Sequence, residues 1–140
     1  MSWLNWLKRN QTVTDAHPVR AQVLAVEDNP DEMEFLCGLL RMQNVIVTRA
    51  TSIAEALEAV ASPTRFQLAF IDLNLANTSA IEVVRRIKQS KQGTHPIIVS
   101  GDFDKIQLCL GWGYVSCLAK PYTVGSIREI LRVHRLQTSD

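Results

Sequence analysis

The chain has 140 residues, 46% of them hydrophobic and 21% charged, with a formal net charge of +1. That length supports one domain with its own core, and the balanced charge gives no case for nucleic acid or for acidic surfaces as partners. No stretch is long and apolar enough for a signal-peptide core or a membrane span.

Residues 1–10, "MSWLNWLKRN", place Trp3, Leu4, Trp6 and Leu7 on one side of a short helix, with Asn5 and Arg9 opposite and Ser2 as its cap. A helix this short must pack on something. Its own domain or a second copy is the preferred cover and a partner protein the alternative; a membrane is the weakest, since Lys8 and Arg9 are too few to anchor it there. "QTVTDAHPVRAQ" is polar, aperiodic and carries a proline, so it is a linker. Residues 1–21 therefore form an N-terminal segment, and residues 22–137 the domain proper.

From Val23 a regular alternation begins. "VLAVE" predicts a strand, and "NPDEMEFLCGLLRMQ" a helix with Met33, Leu36, Leu39 and Leu40 on its apolar side. "NVIVTRA" is β-branched and strand-like, and "SIAEALEAVA" is helical with Ser52 as cap and Glu55 three residues on. "FQLAFID" is a continuous apolar run fit for a strand buried on both faces. "SAIEVVRRIKQS" is an amphipathic helix, "HPIIVSG" a strand, "DFDKIQLCLG" a short helix, "YVSCLAK" a strand and "TVGSIREILRVHRL" a last helix. This alternation implies an α/β fold: a doubly wound, five-stranded parallel sheet of order 2-1-3-4-5 with helices on both faces, flavodoxin-like.

Cys37, Cys109 and Cys117 lack C-x-x-C spacing and sit in apolar segments, so they are reduced, buried thiols in a cytoplasmic setting rather than disulfides or a zinc site. His17, His95 and His134 have no metal partner in the pattern and take structural roles.

An aspartate that ends a buried strand is either a helix cap or a group placed for chemistry. The strand order decides between them for Asp72. Strands one, three, four and five are neighbours about 4.8 Å apart, and crossovers of one hand bring their C-terminal ends to one edge. Glu27, Asp28, Asp72, Ser100 and Lys120 stand at those ends, so three carboxylates, a hydroxyl and an ammonium meet in one crevice. Crowded carboxylates call for a cation, and Mg²⁺ (with Mn²⁺ as a substitute) suits a few hard oxygen ligands. An ionised Asp72 is then a nucleophile toward a phosphoryl group, with Lys120 and Ser100 stabilising its oxygens.

"VLAVEDNPDE", "FIDLNL", "IIVSGD" and "LAKPY" resemble the signature segments of response regulator receiver domains (CheY-like) of two-component signalling, over about Val23 to Leu136. The resemblance implies Asp72 as phosphoacceptor, Asp28 as a direct Mg²⁺ ligand, Glu27 as a ligand through water and Asn74 as a backbone-carbonyl ligand. Ser100 would follow the phosphoryl group, Lys120 would neutralise it, and Pro121 would follow a cis peptide bond. Asn74 and Asp102 match positions that tune acyl-phosphate lifetime. The phosphodonor would be a histidine kinase or a histidine phosphotransfer protein. No separate enzyme activity is implied beyond autophosphorylation and slow aspartyl-phosphate hydrolysis.

Three departures from the family pattern bear on output. Ala76 and Ala80 replace the usual Pro and Gly after the phosphoacceptor, Cys117 replaces the aromatic three positions before the lysine, and the fourth helix is short. Signalling by a single-domain regulator would run through protein–protein contact at the face of helix 4, strand 5 and helix 5. Trp112 and Tyr114 are candidate anchors there, with core packing the other role for Trp112. The alternative is a phosphorylation-independent receiver-fold adaptor or dimerisation module. A flavin-type binder is disfavoured, because the crevice is acidic where a phosphate-bearing ligand needs a glycine-rich cradle.

Overall fold

The computed structural model describes residues 20–75, 80–113 and 115–136. The N-terminal segment with Trp3, Leu4, Trp6 and Leu7 lies outside the described residues, as do Ala76 and Tyr114. Five strands, β1 (Gln22–Val26), β2 (Ile46–Ala50), β3 (Leu68–Asp72), β4 (His95–Ser100) and β5 (Ser116–Ala119), alternate with five helices. These are α1 (Pro30–Arg41), α2 (Ile53–Ala61), α3 (Ala80–Ser90), α4 (Phe103–Leu110) and α5 (Val124–Val133). All pairings are parallel and the order is β2-β1-β3-β4-β5, the topology expected from the sequence. No described helix is long and apolar enough to cross a membrane.

Side-chain alternation splits the interior into two cores. Val23, Ala25, Leu68, Phe70, Ile97 and Val99 pack with Met33, Leu36, Cys37 and Leu40 of α1 and with Ile127 and Leu131 of α5. Their neighbours Leu24, Val26, Ala69, Ile71 and Ile98 pack with Val60 of α2, with Val83, Val84 and Ile87 of α3, and with Cys109 of α4. Central β3 is buried at every residue. Each large aliphatic side chain so buried contributes about 1.5–3 kcal/mol.

Caps set the helix starts that matter for the site. Asn29 accepts a hydrogen bond from the Glu32 amide, and Pro30 occupies the first turn of α1, where its missing N–H costs nothing. Asp102 caps α4 by accepting from the amides of Asp104 and Lys105. α1 is shorter than its apolar pattern: it ends at Arg41, and Asn44, at φ 61°, turns the chain into β2. Ala80 opens α3 as a buried helical residue, so the alanine in the usual glycine place needs no positive φ.

All three cysteines are free, Cys37 and Cys109 buried and Cys117 half-buried. Trp112 is partly buried against the α2/α3/α4 core, which supports the packing role over the anchor.

The entry edge of the sheet holds a histidine pair. His95, at the start of β4, lies 2.9 Å from Ser116 Oγ through Nε2, and its ring centroid is 4.3 Å from that of His134, which caps α5. Burial lowers the pKa of both rings, and the neighbouring His134 adds to the effect on His95. Below pH 6.5, the ordinary histidine value, the unfolded chain binds protons that the folded chain resists. Stability is therefore full above that value and falls as the pH drops through the folded pKa values. Thermal melts at about pH 8 and pH 5.5 should show a larger acid loss for the wild type than for His134→Gln. Equal losses would refute this.

Candidate functional site

The parallel sheet delivers polar residues to its exit edge. Glu27 follows β1 directly; its amide donates to Ala50 O at 3.0 Å and its Oε1 accepts from the Asn29 amide at 3.0 Å. Asp72 ends β3, and its Oδ1 accepts from the Asn74 amide at 3.1 Å. Ser100 ends β4, one residue past Val99, the register partner of Asp72, and its Oγ accepts from the Asp102 amide at 3.0 Å. Lys120 follows β5, its amide tied to Ser100 O at 2.8 Å, with a cis bond to Pro121.

Parity sends Asp72 to the same side of the sheet as Leu68 and Phe70, the side covered by α1 and α5. There Lys120 Nζ meets three acids: Glu32 Oε1 at 2.7 Å, Asp72 Oδ2 at 3.5 Å and Glu27 Oε2 at 3.8 Å. Carboxylate oxygens of Glu27, Glu32 and Asp72 all lie within 4.8 Å of one another. The Glu27 and Asp72 side chains are nearly sealed, at 4% and 3% exposure, whereas Glu32 is 45% exposed.

These acids perturb one another strongly. Burial pushes the Glu27 carboxyl up to about 8, aided by its hydrogen bond to Asp72 and by repulsion from it; the Asn29 amide and Lys120 pull only partly back. For Lys120, burial works against the charge. The Glu32 hydrogen bond and the charges of Asp72, Glu27 and Glu32 outweigh it, and its pKa rises. Tyr122, buried beside the same acids, is pushed up to about 12. Without a further cation, Glu27 holds a proton near neutral pH.

The donor chemistry fits a hard divalent ion. The clustered side-chain donors are carboxylate oxygens, with no nitrogen or sulfur among them, as Mg²⁺ or Mn²⁺ prefers.

Of the residues singled out in the sequence, Glu27, Asp72 and Lys120 meet in this cluster, with Ser100 and Asn74 hydrogen-bonded at its edge. Asp28 stands exposed on the rim beside Glu27, outside the tight carboxylate triad. Asp102 is the α4 cap. Sequence reasoning missed Glu32. Its spacing from Asn29 is that of a capping box, which suggests a carboxylate turned back onto its own helix. Instead that carboxylate crosses to Lys120, 88 residues on.

A cavity of about 430 Å³ opens beside the ammonium, lined by Asp31, Glu32, Phe35, Lys120, Pro121 and Tyr122. Phe35 is half exposed and rests on Tyr122, ring centroids 5.4 Å apart.

The family model for the response regulator receiver domain matches residues 23–132. The sensory transduction protein LytR of Staphylococcus haemolyticus is 28% identical over 122 residues, covering 85% of this chain and 47% of that protein. The chain thus spans about half the length of this relative. A CheY-like response regulator receiver domain from Methylobacillus flagellatus superposes with TM-score 0.75 at 27% identity, covering 83% of this chain and 99% of that one. The receiver domain of the Pseudomonas aeruginosa sensor histidine kinase PA1611, solved with magnesium coordinated in its active-site cleft, gives TM-score 0.74 at 23% identity, covering 82% and 97%.

The raised Glu27 pKa makes a signed prediction. The folded form holds this proton above pH 4.5, so its stabilising effect is full below that value and is lost as pH rises through about 8. In metal-free buffer, Glu27→Gln should therefore gain about 1–3 kcal/mol over the wild type at pH 9 relative to pH 5. Urea unfolding at both values checks this, and a difference independent of pH would contradict it.

Proposed function

The chain belongs to the response regulator receiver domain family, and from that premise we propose that Asp72 accepts a phosphoryl group in a Mg²⁺-dependent reaction of two-component signalling. The observation that carries the reading is the ammonium of Lys120, 3.5 Å from Oδ2 of the sealed Asp72 carboxylate at the exit edge of the sheet.

The donor is a phosphohistidine on a histidine kinase or a histidine phosphotransfer protein. An Asp72 oxygen attacks phosphorus, an O–P bond forms as the N–P bond breaks, and the imidazole leaves with the electron pair and takes up a proton. Lys120 moves its charge onto the transferred group, and the Ser100 hydroxyl donates to one of its oxygens. When bound, Mg²⁺ neutralises phosphoryl charge. Asp28, Asp72 and the Asn74 carbonyl are its proposed direct ligands, with Glu27 reaching it through water. The Asn74 amide already turns that residue's backbone toward the Asp72 carboxylate.

Output is proposed to run through the α4–β5–α5 face, in the cytoplasm, to a protein target or a second copy. Phe103 and Leu108 of α4 are each 71% exposed, a large apolar display for one short helix. Cys117 is half-buried and lies against α4, with Sγ 4.0 Å from Ile106 O, so it lacks the bulk to swing as an aromatic ring does. That substitution favours a second reading, an adaptor that uses the same face without phosphorylation.

Intact mass after incubation with Mg²⁺ and acetyl phosphate separates the two. The phosphoacceptor reading expects one phosphoryl adduct, absent in Asp72→Asn and in chelator, and slowed roughly 100-fold or more in Lys120→Ala. No adduct from any small donor would leave the adaptor.

A further inference from the structure

We propose that Glu32 is the resting partner of Lys120: a positioning residue that holds the ammonium until a phosphoryl group on Asp72 competes for it. In this way it sets how fast the site is charged. The inference rests on the phosphoacceptor reading above.

Three observations carry it. The first is distance. Of the three acids around Nζ, only Glu32, at 2.7 Å, makes a short charge-assisted hydrogen bond; Asp72 and Glu27 stand at 3.5 and 3.8 Å. The second is solvation. Glu32 is 45% exposed, whereas the Glu27 and Asp72 side chains are 4% and 3% exposed. The side chain nearest the Lys120 ammonium therefore lies on the water side of the crevice.

The third is construction. The Asn29 cap fixes the Glu32 amide at the start of α1, while Lys120 leaves β5 with its amide held by Ser100 O. Both ends of the bridge are anchored in backbone, so only the side chains need move.

The consequence follows from charge. Glu32 adds a negative charge beside Asp72 that an anionic donor must approach. A phosphoryl group carries more charge than a carboxylate and outcompetes Glu32 for Lys120 once it is in place, but the Lys120–Glu32 contact must first be broken. Glu32→Gln removes the ionic hold and one negative charge, yet keeps the helix cap, which uses the backbone amide.

The experiment measures the maximal rate of Asp72 labelling by acetyl phosphate, at saturating Mg²⁺, for wild type, Glu32→Gln and Glu32→Asp. Calorimetry supplies each Mg²⁺ affinity, and thermal melts confirm folding. A maximal rate raised roughly three- to fivefold in Glu32→Gln, with wild-type behaviour restored by Glu32→Asp, supports the proposal; a merely structural role would not be rescued by charge. A rate unchanged at saturating Mg²⁺ overturns it. So does a fall in rate with weakened Mg²⁺ binding, which would make Glu32 a metal ligand instead. If the wild type itself takes no label, the phosphoacceptor reading falls and this inference with it. Labelled wild type with an indifferent Glu32→Gln removes this inference alone.

Discussion

Two carboxyl groups sealed from water, Glu27 and Asp72, need positive charge beside them. Lys120 is that charge, and its contacts to Glu27, Glu32 and Asp72 tie β1, α1 and β3 to the turn after β5. One ammonium only part-neutralises the cluster. The raised Glu27 pKa records the shortfall, and a divalent cation would remove it.

The fold makes this crowding unavoidable. Parallel strands joined by crossovers send all their exits to one edge, and the order β2-β1-β3-β4-β5 sets Asp72 between the exits of β1 and β4. Alternation along β3 turns Phe70 and Asp72 to the same side, so the helix that covers Phe70 also brings Glu32 over the carboxylate. One pattern in five residues, "LAFID", thus serves both core and site.

Most of this was legible in the sequence because it is written in period and position. The apolar run of β3 needs two covered faces, and the alternation of strand and helix patterns gives the topology that gathers Glu27, Asp72 and Lys120. What was not legible depends on side-chain direction. Asn29 and Glu32 have the spacing of a local cap, and nothing in that spacing tells that the carboxylate turns away to Lys120. Asp28 follows Glu27 directly, but adjacent residues leaving a strand face opposite ways, and Asp28 stands on the rim while Glu27 is buried. The early end of α1 turns on Asn44 tolerating a positive φ, which apolar periodicity does not report.

The same geometry links charge at the crevice to the turn that leads into α5, since Lys120, Pro121 and Tyr122 lie between the acids and that helix. Reactivity of Asp72 depends on where the Lys120 ammonium and a bound cation sit relative to its carboxylate. A crystal structure grown with Mg²⁺ tests this most directly. It should place the ion about 2.0–2.1 Å from an Asp72 carboxylate oxygen, with the Lys120 ammonium still among the acids. An ion bound elsewhere, or Lys120 turned out to solvent away from Asp72, would contradict it.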